Sequence, residues 1–409
     1  MFRKFTVLCL VLGLKLAASA QEHCLTPNYS SGFKDAAAMQ AEEQRIQAQI
    51  VLNTNALQTR TTVTIPVVVH VIYNRDEENI PDAQIFSQIN AINRDYRRRN
   101  TDSAKTPDAW KRIAADIGFE FCLASKDPDG NTTTGITRTR ANRIFTDLES
   151  VKYYRTGGYD GWTPQKYLNI WVANIGTSLY GFSPYPTQLA NNPKSDGIVV
   201  NFKAFGISQN NFANLNFGRT AVHEIGHWFN LIHIWGDASN CATDFIDDTP
   251  PEKAPAYGCS VFPKYDDCSF TGNGTMFMNY MDYGDDTCMN LFTKGQKDRM
   301  LAALSLYRPE LLASNACGLV SGTTDISSVQ FTVSPNPMQN STIQCHFSEF
   351  ISEGALNIFD ITGKSIFRQK FYGSNQQTLS LPQLGNGLYF VQLVTDKGQT
   401  IVKVTREEK

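Results

Sequence analysis

Three histidines within eleven residues constrain this chain more strongly than its other motifs. The segment HEIGHWFNLIH spans residues 223–233, and the whole sequence contains only six histidines. On a helix, His223 and His227 lie one turn apart on the same face, so both rings can reach one metal ion. His233 can join them only if the helix ends and the chain turns sharply at Asn230. Such a turn favours a left-handed backbone, which asparagine tolerates better than other non-glycine residues.

Three protein ligands predict a catalytic zinc rather than a structural one, because a fourth position stays open for water. Glu224 follows the first ligand and can act on that water as a general base without binding the metal. The alternative is a helix with incidental surface histidines, and the third histidine at this spacing disfavours it. The sequence therefore predicts zinc at His223, His227 and His233, with Glu224 as a catalytic residue.

The first twenty residues are typical of an export signal. Two basic residues precede an apolar run at 5–14, and the small residues Ala18 to Ala20 favour cleavage before residue 21. A membrane anchor is the alternative, but the run is short and Lys15 interrupts it. The formal net charge of −2 and the absence of a basic block argue against a nucleic-acid partner. No later segment is long and apolar enough to predict a membrane span.

The sequence contains nine cysteines, and eight remain once the signal peptide with Cys9 is removed. An even number in an exported chain predicts disulfides. Half of them lie close to the histidine motif: Cys241, Cys259, Cys268 and Cys288. A zinc site of four thiolates is the alternative, but the chain lacks a C-x-x-C pair to favour it. Cys122 and Cys317 are candidates for a further disulfide, for the sole reason that the number of remaining cysteines is even.

The pattern of apolar residues predicts several units along the chain. Residues 21–60 are polar and contain one predicted helix at 35–52. A helix is predicted at 80–99, and strands are predicted at 65–73, 118–124, 168–175 and 196–202. This alternation favours an α/β catalytic domain over residues 61–318.

The composition changes near residue 320. Small residues form a predicted linker at 319–328, and about seven short β runs separated by glycine-containing turns follow it. This spacing predicts a small antiparallel β-sandwich over residues 329–409. No catalytic cluster is evident there.

The motif HEIGHWFNLIH resembles that of the metzincin metallopeptidases, H-E-x-x-H-x-x-G-x-x-H. FMNYMDYGDDTCMN, residues 277–290, resembles the Met-turn of the pappalysin family. Four other segments resemble that family too: CATDFIDDTPPE, IPVVVHVIY, NAINRDYRRRNTD and DPDGNTTTGITRT. The resemblance covers about residues 60–318, and Asn230 departs from it where the family carries glycine. It implies a secreted zinc endopeptidase with a metzincin-like α/β (α+β) fold, a zinc-binding helix and a Met-turn.

The resemblance also implies roles for single residues. Met281 would form a soft apolar floor under the histidines, and Tyr283 would stabilise the oxyanion of the tetrahedral intermediate. Asp286 would lie at the base of the S1′ pocket and select Arg or Lys at P1′. The alternatives are that Tyr283 is a packed aromatic residue and that Asp286 is a solvated loop acid. Substrate would extend along an edge strand involving residues 179–183.

The family's two disulfides would pair Cys241 with Cys268 and Cys259 with Cys288. The loop that they enclose offers hard oxygen ligands for calcium, from Asp244, Asp248 and Thr249. A solvated turn is the alternative for this short acidic run.

Residues 21–60 would form a pro-segment that keeps the enzyme latent through a cysteine switch, in which the Cys24 thiolate occupies the open zinc position. The alternative is a disulfide between Cys24 and Cys345 or another odd thiol. Removal of the pro-segment is expected by cleavage before Arg60, in agreement with the basic preference attributed to Asp286.

Residues 329–409 resemble the type A sorting domain of proteins exported by the type IX machinery of Bacteroidetes. The matching segments are SPNPMQN, IFDITGK, LGNGLYFVQL and TIVKVT. A carbohydrate-binding or adhesive sandwich is the alternative for this domain. For the whole chain, the resemblance implies a proenzyme exported through the periplasm that acts on protein or peptide substrates. The alternative is a surface adhesin with a vestigial zinc site.

Overall fold

The computed structural model describes residues 24–26, 29–56, 62–145, 147–188, 192–314, 316–317, 331–360, 365–395 and 398–407. The chain divides into two compact units, residues 1–319 and 320–409. The predicted signal peptide, the linker at 319–328 and the predicted cleavage site at Arg60 lie outside the described residues.

A mixed sheet forms the centre of the first unit, and its described strands number six. They are β1 (Val63–Tyr73), β2 (Phe119–Leu123), β3 (Ile136–Arg140), β4 (Leu168–Ala173), β5 (Gly181–Phe182) and β6 (Ile198–Asn201). The strand order is β2-β1-β4-β6-β5, and β3 pairs with the second half of β1. Strand β1 is apolar along nearly its whole length because both of its faces are covered. Strand β5 runs antiparallel to β6 at the sheet edge, and all the other pairings are parallel.

Five α-helices surround this sheet in the described part of the unit. They are α1 (Ala36–Ala56), α2 (Asp82–Tyr96), α3 (Asp108–Lys111), α4 (Arg219–Trp228) and α5 (Lys294–Tyr307). Helix α2 buries Ile85, Ile89, Ile92 and Tyr96 in the core shared with β1, as the periodicity of the sequence predicts. Helix α4 packs against α2, β5 and β6, so the histidine motif lies beside the edge strand. The mixed α/β fold is therefore confirmed.

The second unit is an antiparallel sheet with a buried apolar face. Its described strands are β7 (Phe331–Ser334), β8 (Thr342–Asp360), β9 (Ser365–Ser380), β10 (Gly387–Thr395) and β11 (Gly398–Arg406). The order is β11-β10-β8-β7, and β9 pairs with β8. The antiparallel β architecture is confirmed, but the expectation of about seven strands was wrong. Strands β8 and β9 each join two predicted runs, since a register shift between His346 and Ile351 bends the pair without ending it.

The cysteines divide into three bonded pairs and two free thiols among the described residues. The structure joins Cys241 to Cys268 and Cys259 to Cys288, the pairing that the family resemblance implies. Because all four sulfur atoms are bonded in these disulfides, they cannot form the alternative zinc site of four thiolates. A third bond links Cys122 to Cys317.

Cys24 and Cys345 are both free and buried, so the alternative disulfide between them is not formed. Among the helices of the described ranges, none is both long and apolar enough to cross a membrane.

Candidate active site

The end of helix α4 brings His233 back toward the first two histidines. The helix stops after Trp228, and Asn230 adopts φ 70°, the left-handed conformation that the sequence predicts. The N–H of Asn230 donates to the carbonyl of His227, and the N–H of Leu231 donates to the carbonyl of Gly226. This pair of bonds is a Schellman motif, which ends a helix and reverses the chain.

Each histidine ring is oriented by a hydrogen bond from its Nδ1 atom. His223 donates to the carbonyl of Tyr280 at 2.7 Å, and His227 donates to the carbonyl of Leu231 at 2.8 Å. His233 donates to the Asp237 carboxylate at 2.5 Å. With every Nδ1 proton directed outward, the three Nε2 lone pairs are left to point inward.

The three Nε2 atoms lie 3.1–3.2 Å from one another. Three lone pairs facing one another at this distance repel unless a cation lies between them. A zinc ion with bonds of about 2.0–2.1 Å and tetrahedral angles would hold its nitrogen ligands about 3.4 Å apart. The donor set and its spacing therefore fit zinc.

Cys24 of the pro-segment lies at the open side of this cluster. Its Sγ belongs with the three histidine nitrogens to a group of ligand atoms that all lie within 4.8 Å of one another. The backbone beside it follows strand β5, where the N–H of Leu25 donates to the carbonyl of Gly181 at 3.2 Å. Burial, and secondly the charge of Glu224, raise the pKa of the Cys24 thiol well above its usual value.

Glu224 is fully buried beside this thiol and the Thr26 side chain. Its Oε2 accepts hydrogen bonds from the Cys24 thiol at 3.5 Å and from the Thr26 hydroxyl at 3.3 Å. Burial raises the pKa of Glu224 to about 8, although both hydrogen bonds oppose the shift. Its Oε1 has no hydrogen-bond partner among the described residues.

Met281 and Tyr283 flank the cluster as the Met-turn resemblance implies. A Cβ atom added to Gly226 would lie 2.4 Å from the Met281 sulfur, so the thioether packs directly under helix α4. The Tyr283 ring lies 5.7 Å from the His223 ring and 5.1 Å from the His233 ring. Its hydroxyl donates to the carbonyl of Cys24 at 3.4 Å, and burial raises the pKa of this phenol.

Asp286 lines the same pocket as Cys24, Glu224 and Tyr283 and is fully buried. Its Oδ2 accepts the N–H groups of Phe217 at 2.7 Å and Arg219 at 3.3 Å, whereas Oδ1 has no partner in the described structure. Burial raises the pKa of Asp286 to about 6. The alternative of a solvated loop acid is incompatible with this burial.

The candidate calcium ligands lie in the loop after the motif, where Asp244 and Thr249 are hydrogen-bonded to each other and Asp248 is bonded to the start of α5. The Thr249 hydroxyl donates to both oxygens of the buried Asp244 carboxylate, at 2.9 and 2.8 Å. Asp248 instead accepts the N–H of Gly295 at the start of α5, and its Oδ1 is buried without a partner in the described part of the chain.

Three residues play roles beside the zinc ligands and Glu224 that the sequence analysis missed. Asp237 orients His233, and its position four residues after the third ligand was the available signal. Thr26 links Glu224 to the edge strand, because its hydroxyl also accepts the N–H of Ser183 at 3.0 Å. Gly181 provides space, since a Cβ atom there would lie 2.4 Å from Glu224 Oε1.

Comparisons with known families agree with this geometry in both units. The family profile described as Pregnancy-associated plasma protein-A, of the peptidase M43 group, matches residues 158–305. The profile described as Secretion system C-terminal sorting domain matches residues 332–406.

Solved structures and curated relatives extend the match over most of the first unit. Mature mirolysin of Tannerella forsythia in complex with a cleaved peptide is 47% identical, with a TM-score of 0.61, over 64% of this chain and 99% of that one. A promirolysin mutant from the same organism is 41% identical, with a TM-score of 0.67, over 74% and 100%. An extracellular metalloprotease of Arthroderma otae is 29% identical over 60% of this chain and 79% of its own length.

Proposed function

The chain belongs to the peptidase M43 family, the pappalysin metalloproteases, and we propose that it is made as a latent proenzyme with a basic P1′ preference. Family membership makes it an extracellular metalloprotease. A C-terminal sorting domain directs it to the secretion machinery. An adhesin with a vestigial zinc site is therefore not needed to explain the chain.

The catalytic roles follow from the side chains around the histidine cluster. Zinc, when held by His223, His227 and His233, supplies Lewis acidity toward water and toward the scissile carbonyl. Glu224 Oε2 takes the proton of the attacking water and returns it to the leaving nitrogen. The Tyr283 hydroxyl donates to the developing oxyanion. Its contact with the carbonyl of Cys24 supports this role, because a peptide carbonyl already lies within its reach.

The position of Cys24 is the observation that carries the proposal of latency. The thiol lies with the three histidine nitrogens and contacts Glu224. A thiolate is a strong zinc ligand, so Cys24 would displace the water that hydrolysis requires. The pro-segment also covers Gly181 of the edge strand, where an extended substrate would bind. Cleavage before Arg60 would release both obstacles.

Asp286 supports the proposed preference for Arg or Lys at P1′. The buried Oδ1 atom has no partner among the described residues, and Asp286 lines the pocket together with Glu224 and Tyr283. A substrate guanidinium or ammonium group would satisfy this oxygen and neutralise the carboxylate.

Calcium is proposed as a structural ion at the loop of Asp244, Asp248 and Thr249. Asp244 is buried beside an uncharged hydroxyl, and burial raises the pKa of its carboxyl to about 7. Asp244 and the unpartnered Asp248 Oδ1 therefore offer the hard oxygen ligands that calcium prefers.

Calcium should then raise the Tm of the enzyme, and Asp244→Asn should abolish that increase. An unchanged Tm on addition of calcium would contradict the proposal.

Casein hydrolysis tests the catalytic assignment. The cleaved enzyme should lose activity in a chelator and should lose at least about a thousandfold in kcat in Glu224→Ala, since the general base is removed. Glu120→Ala, on the partly exposed strand β2, is the matched control and should remain active. Retained hydrolysis in Glu224→Ala would overturn the role of this carboxylate.

Latency is tested in the uncut chain with Cys24→Ser, which should hydrolyse casein without any cleavage. Inactivity equal to that of the uncut native chain would count against the switch.

The specificity is tested by digesting a peptide library with the cleaved enzyme, and the new N-termini should be enriched in Arg and Lys. Asp286→Asn should reduce that enrichment. If the native enzyme gives no enrichment of Arg and Lys, the role given to Asp286 is contradicted.

A further inference from the structure

The pro-segment contacts the rest of the first unit through helix α1 as well as at the histidine cluster. Helix α1 of the pro-segment packs along helix α5. At the centre of this contact, the two oxygens of the Glu43 carboxylate accept hydrogen bonds from Arg299 at 2.6 and 2.8 Å. The exposed fractions of the two side chains are 8% and 1%, so the ion pair is almost completely excluded from water.

Arg299 also holds the turn that carries the zinc helix into its third ligand. Its Nε donates to the carbonyl of Asn230 at 2.7 Å. Asn230 is the left-handed residue between His227 and His233. One guanidinium therefore joins the pro-helix to the backbone turn of the active site.

A second contact of the pro-segment lies beside the same turn, where the Arg299 guanidinium also lies over the Tyr29 ring at 5.6 Å. The Tyr29 ring of the pro-segment packs edge-on against Tyr185 at 5.0 Å, and Tyr185 in turn contacts the His227 ring at 5.5 Å. The N–H of Tyr29 donates to Asp237, the carboxylate that orients His233. These contacts are independent of the Cys24 thiol.

We propose that the Glu43–Arg299 ion pair is a second anchor of the pro-segment, which keeps it bound to the rest of the first unit after the connecting link is cut. The binding partner is this chain's own segment 24–56, which would act as a noncovalent inhibitor until it dissociates or is degraded. A buried pair formed with bidentate geometry is costly to break, because either charge left alone is poorly solvated. This inference rests on the proposed latency and adds a step between cleavage and activity.

The test uses the full chain with a recognition site for a heterologous protease in place of residues 57–61. After complete cleavage, gel filtration measures how much of segment 24–56 still elutes with the enzyme, and casein hydrolysis measures the activity over time. We expect the native sequence to co-elute and to gain activity slowly. Glu43→Gln should release the segment at least about tenfold faster.

Glu42→Gln is the matched control on the same helix. Glu42 pairs with Arg45 of its own helix and accepts a hydrogen bond from the Tyr307 hydroxyl, so its loss removes no ion pair between α1 and α5. Its release rate should stay within about threefold of the native rate. Equal rates for the two variants, or complete release of the native segment immediately after cleavage, would overturn the anchor.

The same comparison can be made without altering the folding chain. Two synthetic peptides that span residues 24–56, one with the native sequence and one with Glu43→Gln, are added to cleaved enzyme that has been separated from its segment. The native peptide should bind at least about tenfold more tightly than the substituted one. Indistinguishable affinities would contradict the proposal.

Failure of the latency proposal would be recognised separately. Activity of the uncut native chain would contradict latency, while co-elution after cleavage would still report on the anchor. Cys24→Ser should raise the activity of the uncut chain without releasing the cleaved segment, because the ion pair remains.

Discussion

The two units of this chain differ in what they bury. The described part of the first unit encloses four long cationic side chains, Lys152, Arg219, Arg299 and Arg308, and each of them donates to oxygen atoms of neighbouring residues. In the described part of the second unit, Arg406 is the one buried charged side chain, and it donates to the carbonyl of Asn340. The rest of that core is apolar, with residues such as Ile343, Leu356 and Val391 fully enclosed.

The free thiols show the same difference. Cys24 lies among three histidine nitrogens and a carboxylate, whereas Cys345 lies in an apolar core that raises the pKa of its thiol to about 12 by burial alone. Burial is common to both positions, so it does not by itself indicate a ligand. The polar groups that surround a buried thiol indicate whether it is a ligand. The first unit includes hydrogen-bonded charges in its core, and the second unit holds its strands together by apolar packing.

The largest expected effect comes from removing a buried counterion beneath the zinc helix. The Asp196 carboxylate accepts bonds of 2.6 and 2.7 Å from Arg308 and also accepts from the Trp228 indole. Asp196→Asn should therefore cost about 3–5 kcal/mol, measured as the loss of unfolding free energy in urea. The control is Asp108→Asn, which breaks an exposed pair with Lys111 and should leave the urea midpoint unchanged. Equal urea midpoints for the two variants would contradict the expected cost of breaking the buried ion pair.

A core truncation in the second unit should be large but confined to that unit. Leu356 is fully buried, so Leu356→Ala should destabilise the second unit by about 2–5 kcal/mol. Calorimetry should show a lowered transition for that unit alone, and casein hydrolysis by the cleaved enzyme should be unchanged. A parallel fall in kcat/KM would show that the two units depend on each other.

Acid should destabilise the first unit through His70. Its ring hydrogen-bonds Thr137 and Asn169, and burial lowers its pKa to about 4. The unfolded value is about 6.5, so the unfolded state binds more protons, and stability falls as pH drops from about 6.5 to 4. The loss should approach about 3 kcal/mol near pH 4. His70→Gln should flatten this part of the stability–pH curve, and an unchanged slope would assign the effect to other groups.

The smallest of these effects concerns catalysis. The added methyl group of Gly181→Ala would lie 2.4 Å from Glu224 Oε1 and must displace that carboxylate. We expect kcat/KM to fall at least about tenfold, or about 1.4 kcal/mol, with little change in Tm. Gly385→Ala in the second unit, where a Cβ atom meets nothing within 4 Å, should leave both values unchanged. Native activity in Gly181→Ala would show that the strand can move aside.

Local sequence patterns predicted the parts of the fold that depend on neighbouring residues. The zinc helix, the left-handed Asn230 and the buried strand β1 each follow from spacing or residue type within a few positions. The contacts that bring Glu43 to Arg299 or Thr26 to Glu224 join residues about 200 or more positions apart. A single sequence carries no signal for such pairs, because each partner has an ordinary local context.

The number of strands in the second unit shows a different limit of prediction from sequence. Glycines such as Gly354 are typical of turns, yet Gly354 lies inside β8 and pairs with Phe371 of β9. A Cβ atom there would lie 2.6 Å from the Phe371 ring, so the residue allows a close side-chain approach rather than a reversal. Whether a glycine serves a turn or a close contact is decided by a partner strand that the local sequence does not reveal.

The two enclosed thiols also bear on how the exported chain acquires its disulfides. Eight cysteines can pair completely in about 105 ways, whereas six can do so in about 15. Cys24 and Cys345 are 8% and 0% exposed, so the folded protein shields both thiols from oxidants in its surroundings. If these two positions are enclosed early, oxidative folding has to search a roughly sevenfold smaller set of pairings. Enclosing Cys24 would then serve both the inactivation of the zinc site and, together with the enclosure of Cys345, the correct cross-linking of the remaining six cysteines.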